Sequence, residues 1–157
     1  MLFRILKERL RSTERGLPFN LARRLIRWMV YGCVKACNIV LAAGQTTSPT
    51  EHFTGVKPNY KRDFRAEFGE YVQASVTPNH MDKNGPKPRT VGAIALCSTG
   101  NDRGTWWFMS IQTKGFFTAD RWEALPMPDI VIELLNSLYD SDEPKKGKKR
   151  RDENPPQ

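Results

Sequence analysis

The stretch that decides the fold is residues 47–76, TSPTEHFTGVKPNYKRDFRAEFGEYVQASV, because the hydrophobic pattern changes within it. Near its start, Ser48 and Pro49 predict the N-cap and the first position of a short helix, which Gly55 ends. From Glu70 onwards, apolar and polar residues alternate, as is typical of a half-buried strand. The apolar residues of this alternating run are Val72, Ala74 and Val76.

Further strands are predicted after this point. Residues 77–89 are rich in Pro, Asn, Gly and Lys and predict a loop, whereas residues 91–97 form a short apolar run typical of a buried strand. Residues 105–112 are aromatic and favour a strand. Thr113-Lys114-Gly115 predicts a tight hairpin, with one or two strands in residues 116–125. Four or five short strands at this spacing predict a small antiparallel barrel.

Helices are predicted on both sides of these strands. The spacing of Leu6 and its apolar neighbours predicts a first helix over residues 2–13. Asn20 is expected to cap a second helix that runs to about Ala43. Pro128 is expected to open a final helix. The predicted buried face of that final helix comprises Ile130, Val131, Leu134, Leu135 and Leu138. The expected fold class is therefore α+β.

The order of these motifs resembles the integrase region of copia-type retroelement Pol polyproteins. The run 47–76, followed by PRTVGAIALCSTGN (88–101) and GTWWFMSIQTKGFFTADRWEALPMPDIV (104–131), is similar to the stretch where the catalytic core ends and an SH3-like barrel begins. The segment FRILKERLRSTERGLPFNLARRLI (3–26) is similar to the last two helices of that core. The resemblance covers residues 3–138 and implies a truncated copy of the integrase.

The resemblance and the changes in composition divide the chain into five parts. The parts are 1–46, the end of a ribonuclease-H-like core; 47–69, a linker with a polar connector; 70–127, the SH3-like barrel; 128–139, a C-terminal helix; and 140–157, a charged tail. The tail is expected to be disordered because it has almost nothing apolar to bury.

Catalysis is not expected of this chain. The family transfers DNA strands with two metal ions held by two Asp and one Glu, and the resemblance implies that the aspartates are missing and that the catalytic Glu would fall just before Met1. Glu8, within Lys7-Glu8-Arg9, matches a different glutamate of the family. We therefore expect no catalytic residue, no metal and no cofactor, although the intact family enzyme would need Mg²⁺ or Mn²⁺.

The cysteines and histidines do not form a zinc-binding pattern. Cys33 and Cys37 lie one helical turn apart, but His52 and His80 are isolated and lack the paired spacing of zinc ligands. We expect the cysteines to be buried thiols of the core.

The charge balance points to a polyanionic partner. The chain has 25 Lys+Arg against 17 Asp+Glu, a net charge of +8, which favours nucleic acid. Contacts of Lys and Arg with phosphates would be electrostatic and indifferent to sequence; a solvated charged face is the alternative. The residues predicted to contact nucleic acid are Arg4, Lys7, Arg11, Arg24, Arg27, Lys57, Lys61, Arg62 and Arg65.

The tail carries a second basic cluster. A nuclear-import signal is one interpretation, and a solubilising tail is the alternative. The residues concerned are Lys145, Lys146, Lys148, Lys149, Arg150 and Arg151.

The sequence thus predicts a catalytically incomplete piece of a retrotransposon integrase that binds DNA non-specifically. Other integrase or polyprotein segments are further expected partners. The alternative is a domesticated module whose barrel binds proteins. We expect an intracellular location, in the nucleus if the tail is an import signal, and no membrane association. The most apolar window, residues 28–43, contains Lys35 and Asn38 and is shorter than the roughly 20 residues of a membrane span.

Overall fold

The computed structural model describes residues 2–76 and 89–142. The predicted 77–89 loop, except Arg89, and the basic tail from residue 143 onwards lie outside the described residues. The predicted α+β class is confirmed. The elements are α1 (Leu2–Arg15), α2 (Arg23–Ile39), α3 (Pro49–Thr54), α4 (Tyr60–Asp63), β1 (Tyr71–Ser75), β2 (Thr90–Ser98), β3 (Trp106–Ser110), β4 (Phe116–Ala119), β5 (Trp122–Ala124) and α5 (Asp129–Asp142).

The second helix differs from its prediction at both ends. Helix α2 begins after Ala22, whose side chain makes no capping bond. The predicted cap at Asn20 is wrong, because the helix begins at Arg23 with Ala22 in the N-cap position. The backbone N–H of Asn20 donates to Asn136 Oδ1 of α5 at 2.7 Å. The helix ends at Ile39, earlier than the expected Ala43, because Val40 has an extended backbone.

Two short helices occupy the segment between α2 and the sheet. Helix α3 confirms its prediction, since Ser48 Oγ accepts from the Glu51 N–H at 3.1 Å and Gly55 takes the left-handed conformation at φ 69°. Helix α4 was not predicted and lies within the expected polar connector. Its N-cap is Asn59, whose side-chain oxygen accepts from the Arg62 N–H at 3.2 Å.

The five strands form one antiparallel sheet in the order β4-β3-β2-β1-β5. The edge strands β4 and β5 are joined by only Asp120 and Arg121. Such a connection spans at most about 11 Å, whereas the edges of a flat five-stranded sheet lie about 19 Å apart. The sheet must therefore curl until its edges approach each other. Consistent with this, the Trp122 ring of β5 lies 5.2 Å from Phe108 and 5.8 Å from Trp106 of β3. The predicted antiparallel sheet is confirmed, and its curl gives it the form of an open barrel, because β4 and β5 are not paired with each other.

The sheet buries apolar side chains on both faces. Along β2, Ala93 and Ala95 face the barrel interior, whereas Ile94 and Leu96 face the helices. This double burial explains why the β2 sequence is a continuous apolar run. The interior cluster comprises Val72, Ala74, Ala93, Ala95, Trp106, Phe108 and Ala119. The outer cluster comprises Phe19, Leu25, Ile94, Leu96, Met109, Val131 and Leu135.

The outer cluster joins parts of the chain that the sequence assigned to separate segments. It combines side chains from residues 1–46, from the barrel and from the C-terminal helix. The five-part division of the chain stays a prediction, but its helical and barrel segments share one hydrophobic core in the structure.

The C-terminal helix packs largely as predicted, with two corrections. Val131 and Leu135 are buried, but Ile130 is 71% exposed, so its prediction as a buried residue is wrong. The helix also continues through Asp142, three residues beyond the expected boundary at 139. Asp142 Oδ1 lies 3.6 Å from Arg24 Nη2, which ties this extra turn to the start of α2.

Candidate nucleic-acid interface

Four cations of α1 lie on one face of the helix. Arg4, Lys7, Arg11 and Arg15 recur every three or four residues, which places them within an arc of about 80°. All four are exposed. We call them the α1 stripe. Thr13 lies on the opposite side of the helix, where its Oγ1 is 3.7 Å from Cys33 Sγ of α2. The α1 stripe therefore faces away from α2, towards solvent.

Most of the α1 stripe has no carboxylate partner among residues 2–76 and 89–142. Arg4 Nε donates to Glu8 Oε1 at 3.2 Å, but both side chains are mostly exposed. An exposed pair of this kind contributes little, because water and salt screen it. Within the described residues, Lys7, Arg11 and Arg15 form no ion pair. Their charges are therefore available to an external polyanion.

Arg62 is engaged in contacts within the chain. Its guanidinium pairs with Asp63 at 3.1 Å and with Asp102 at 3.4 Å. The hydrogen bonding of its guanidinium to the Asp63 carboxylate is the main cause of the raised pKa of Arg62. Its backbone carbonyl accepts from Trp106 Nε1 at 3.3 Å. Arg62 therefore connects α4 to the barrel. Its ion pairs with Asp63 and Asp102 compete with phosphate binding.

Two further predicted cations also make internal contacts. Arg65 donates to the carbonyls of Asp120 and Trp122, and its guanidinium lies 3.8 Å from the centre of the Trp122 ring. Arg24 pairs with Asp142. These two arginines bind the β4–β5 connection and the end of α5, respectively.

The remaining predicted cations are Arg27, Lys57 and Lys61. All three are exposed, and none has an ion pair in the part of the chain that the structure describes. Arg15 belongs with the available cations although it was left out of the predicted contact set. The signal for it was its position four residues after Arg11.

A cleft of about 620 Å³ lies between α1, α2, α4 and β2. Its walls are mainly apolar, and Lys35 contributes a cation that the sequence analysis did not single out. Lys35 Nζ donates to the Ser98 carbonyl at 2.6 Å. Burial lowers the pKa of Lys35, while Cys97 and Asp63 nearby oppose that shift. The sequence feature that could have singled out Lys35 was its position as a lysine within an otherwise apolar segment of α2.

The thiols lie in or beside this cleft. Cys33 and Cys97 are buried and Cys37 is half-buried, so the prediction of buried thiols is confirmed for two of the three. Burial raises the pKa of Cys33, and it raises the pKa of Cys97 to about 11. The described residues contain no group of three His, Cys, Asp or Glu side chains arranged to hold a metal ion. The expected lack of a cofactor stays a prediction.

The thiols should react at unequal rates. The thiolate is the reacting form, and a pKa of about 11 leaves roughly one Cys97 in a thousand ionised at pH 8. With a colorimetric disulfide reagent at that pH, we expect one prompt thiol in the folded chain and three in denaturant. Cys37→Ser should remove the prompt phase. Three thiols reacting together in the folded chain would contradict the burial of Cys33 and Cys97.

Comparisons of the chain with protein-family models, curated proteins and solved structures found no match. In the two described ranges, none of the helices has both the length and the apolar character needed to cross a bilayer.

Proposed function

We propose that this chain binds nucleic acid electrostatically and without sequence preference. The observation that carries the proposal is the α1 stripe, whose four exposed cations face away from α2. The three cations without an ion pair within the described residues, Lys7, Arg11 and Arg15, would make the first contacts with phosphates.

The dimensions of the α1 stripe suit a nucleic-acid backbone. From Arg4 to Arg15 it extends about 17 Å along the helix axis. A duplex carries one phosphate charge per about 1.7 Å of its own axis, so a stripe of this length meets several phosphates at once. Each contact releases condensed counterions into solution, which is the main driving force of non-specific binding.

The same proposal includes an origin in a copia-type retroelement integrase. It is supported by the order of the quoted motifs and is compatible with a curled five-stranded sheet that follows the helices α1 to α4. Under this proposal the chain holds nucleic acid and does not transfer strands, because Glu8 corresponds to a glutamate outside the catalytic set. A nuclear location, directed by the basic run between Lys145 and Arg151, is also part of the proposal.

A protein-interaction module is the second candidate. It is favoured by an exposed apolar strip on α2, where Ile26, Val30 and Val34 recur every four residues and are each 38–41% exposed. This strip lies on a helix and not on the barrel, where the sequence analysis had placed the partner surface. An apolar contact would persist at high salt, whereas phosphate contacts would not.

Titration of labelled duplex DNA at increasing salt separates these candidates. If four to six phosphates are engaged, log K should fall against log salt with a slope of about −3.6 to −5.4. Two duplexes of unrelated sequence should bind within about twofold of each other, because phosphate contacts do not distinguish bases. Absence of binding at low salt, or a strong preference for one sequence, would contradict the proposal.

A further inference from the structure

Three exposed aromatic side chains lie on or next to the two short helices between α2 and the sheet: Phe53 is on α3, Tyr60 begins α4 and Phe64 directly follows α4. Phe53 is 94% exposed, Tyr60 is 44% exposed and Phe64 is 41% exposed. Two lysines, Lys57 and Lys61, are interleaved with them in the sequence. We call these five residues the aromatic–lysine patch. Such clustering differs from the scattered single apolar residues that are normal on protein surfaces.

Both short helices are fastened to the same end of α2. Thr50 Oγ1 of α3 donates to the Asn38 carbonyl at 2.9 Å. Tyr60 of α4 donates through its hydroxyl to the Ile39 carbonyl at 3.4 Å. Because these acceptors are consecutive residues, Thr50 of α3 and Tyr60 of α4 are both held at the C-terminal end of α2.

Helix α4 is further held by buried polar contacts. Asp63 is 8% exposed, and its Oδ2 accepts from the Asn59 N–H at 3.2 Å. Arg62 links the same carboxylate to Asp102 of the β2–β3 connection. The rings of Tyr60 and Phe64, at the start of α4 and directly after its end, are therefore carried by a fixed helical turn and not by a loose loop.

The rings are arranged as flat surfaces beside positive charge. The planes of Tyr60 and Phe64 are within 11° of parallel, and their centres are 6.1 Å apart. Phe53 leaves nearly its whole ring open to solvent. Lys57 and Lys61 are exposed, and among the described residues neither has an ion pair.

We infer that the aromatic–lysine patch is a stacking site for the bases of single-stranded nucleic acid, with Lys57 and Lys61 binding the adjoining phosphates. Unpaired bases expose the flat faces that stack on aromatic side chains, whereas duplex bases cover these faces with each other. The unpaired lysines favour this polyanion over an apolar protein surface, which would leave their charges uncompensated. The inference rests on the proposed nucleic-acid binding and adds a preferred form of the ligand.

Phe53 is the best position for a test, because its exposure makes it dispensable for folding. We expect Phe53→Ala to weaken binding of a roughly 20-nucleotide oligothymidine by about five- to hundredfold, which is the range for losing one stacked base. Binding of a duplex of equal length should change by less than about twofold, because its bases are already stacked. Fluorescence anisotropy of both labelled ligands at one low salt concentration measures this difference.

Two further substitutions distinguish stacking from general apolarity. Phe53→Trp should retain the affinity for oligothymidine, whereas Phe53→Leu should lose it as Phe53→Ala does, because leucine has no aromatic face. Ile130→Ala, at another largely exposed apolar side chain, on α5, should leave the binding of both ligands unaffected.

The outcomes separate the inference from the proposed function. Three results would each overturn the stacking site. They are unchanged oligothymidine affinity of Phe53→Ala, an equal loss of affinity for both ligands, and full oligothymidine affinity of Phe53→Leu. If the unaltered chain binds neither ligand at low salt, the proposed function fails with it. If one of the Phe53 results overturns the stacking site but duplex binding remains salt-sensitive, the proposed function stands and only the inference is removed.

Discussion

Reversing three charges of the α1 stripe, with Lys7→Glu, Arg11→Glu and Arg15→Glu together, is expected to weaken duplex binding by roughly a hundredfold or more at 0.1 M salt. Each lost phosphate contact should also reduce the magnitude of the slope of log K against log salt by about 0.9. The three side chains are exposed and have no ion pair in the described residues, so the fold should tolerate their replacement. Anisotropy titrations against salt measure both effects.

The matched control reverses three charges elsewhere on the surface, so that the net charge of the chain changes by the same amount. Arg89, Arg103 and Arg121 are exposed, lie outside the α1 stripe and form no ion pair within the described residues. Their joint replacement by glutamate should cost much less affinity. Equal losses in the two triple variants would show that overall charge, and not the α1 stripe, determines binding. Arg62 is unsuitable for such a test because its ion pairs with Asp63 and Asp102 support the fold.

Leu135→Ala is expected to lower the free energy of unfolding by about 2–5 kcal/mol, the usual cost of truncating a fully buried leucine. Leu135 is 1% exposed and belongs to the outer hydrophobic cluster, which includes Leu25 and Ile94. Removing its side chain leaves a cavity between α5 and the sheet. Urea unfolding followed by tryptophan fluorescence measures the loss.

Ile130→Ala is the control on the same helix. Its side chain is 71% exposed, so its truncation should change the free energy of unfolding by less than about 0.5 kcal/mol. Similar effects at positions 130 and 135 would contradict the packing of α5 against the sheet.

The sequence was sufficient for the barrel because the barrel depends on local patterns. Alternation identified β1, and a run buried on both faces identified β2. The errors arose where the outcome depended on the packing of elements that are distant in the sequence. Asn20 fits a helix cap, but it bonds to Asn136, a residue 116 positions away in the chain. Ile130 fits the apolar composition of α5, but it lies outside the face that Val131 and Leu135 bury.

The candidate interface was predictable only in part, for the same reason. Helical spacing is a local property, so the sequence placed Lys7 and Arg11 on one face of α1. It could not show that Arg62 and Arg65 are engaged by groups 40 and 57 residues away. Nor could it show that Phe53 is exposed, because exposure depends on what packs against α3 in the fold.

The central claim is that residues 2–76 and 89–142, and not the basic tail, bind nucleic acid. The most direct test replaces the six cations between Lys145 and Arg151 by glutamine and repeats the salt titration on duplex DNA. We predict that log K still falls steeply with log salt, with a slope of about −3.6 to −5.4 that differs by less than about one unit from that of the unaltered chain. A slope near zero, or no binding at low salt, would contradict the claim and assign the binding to the tail.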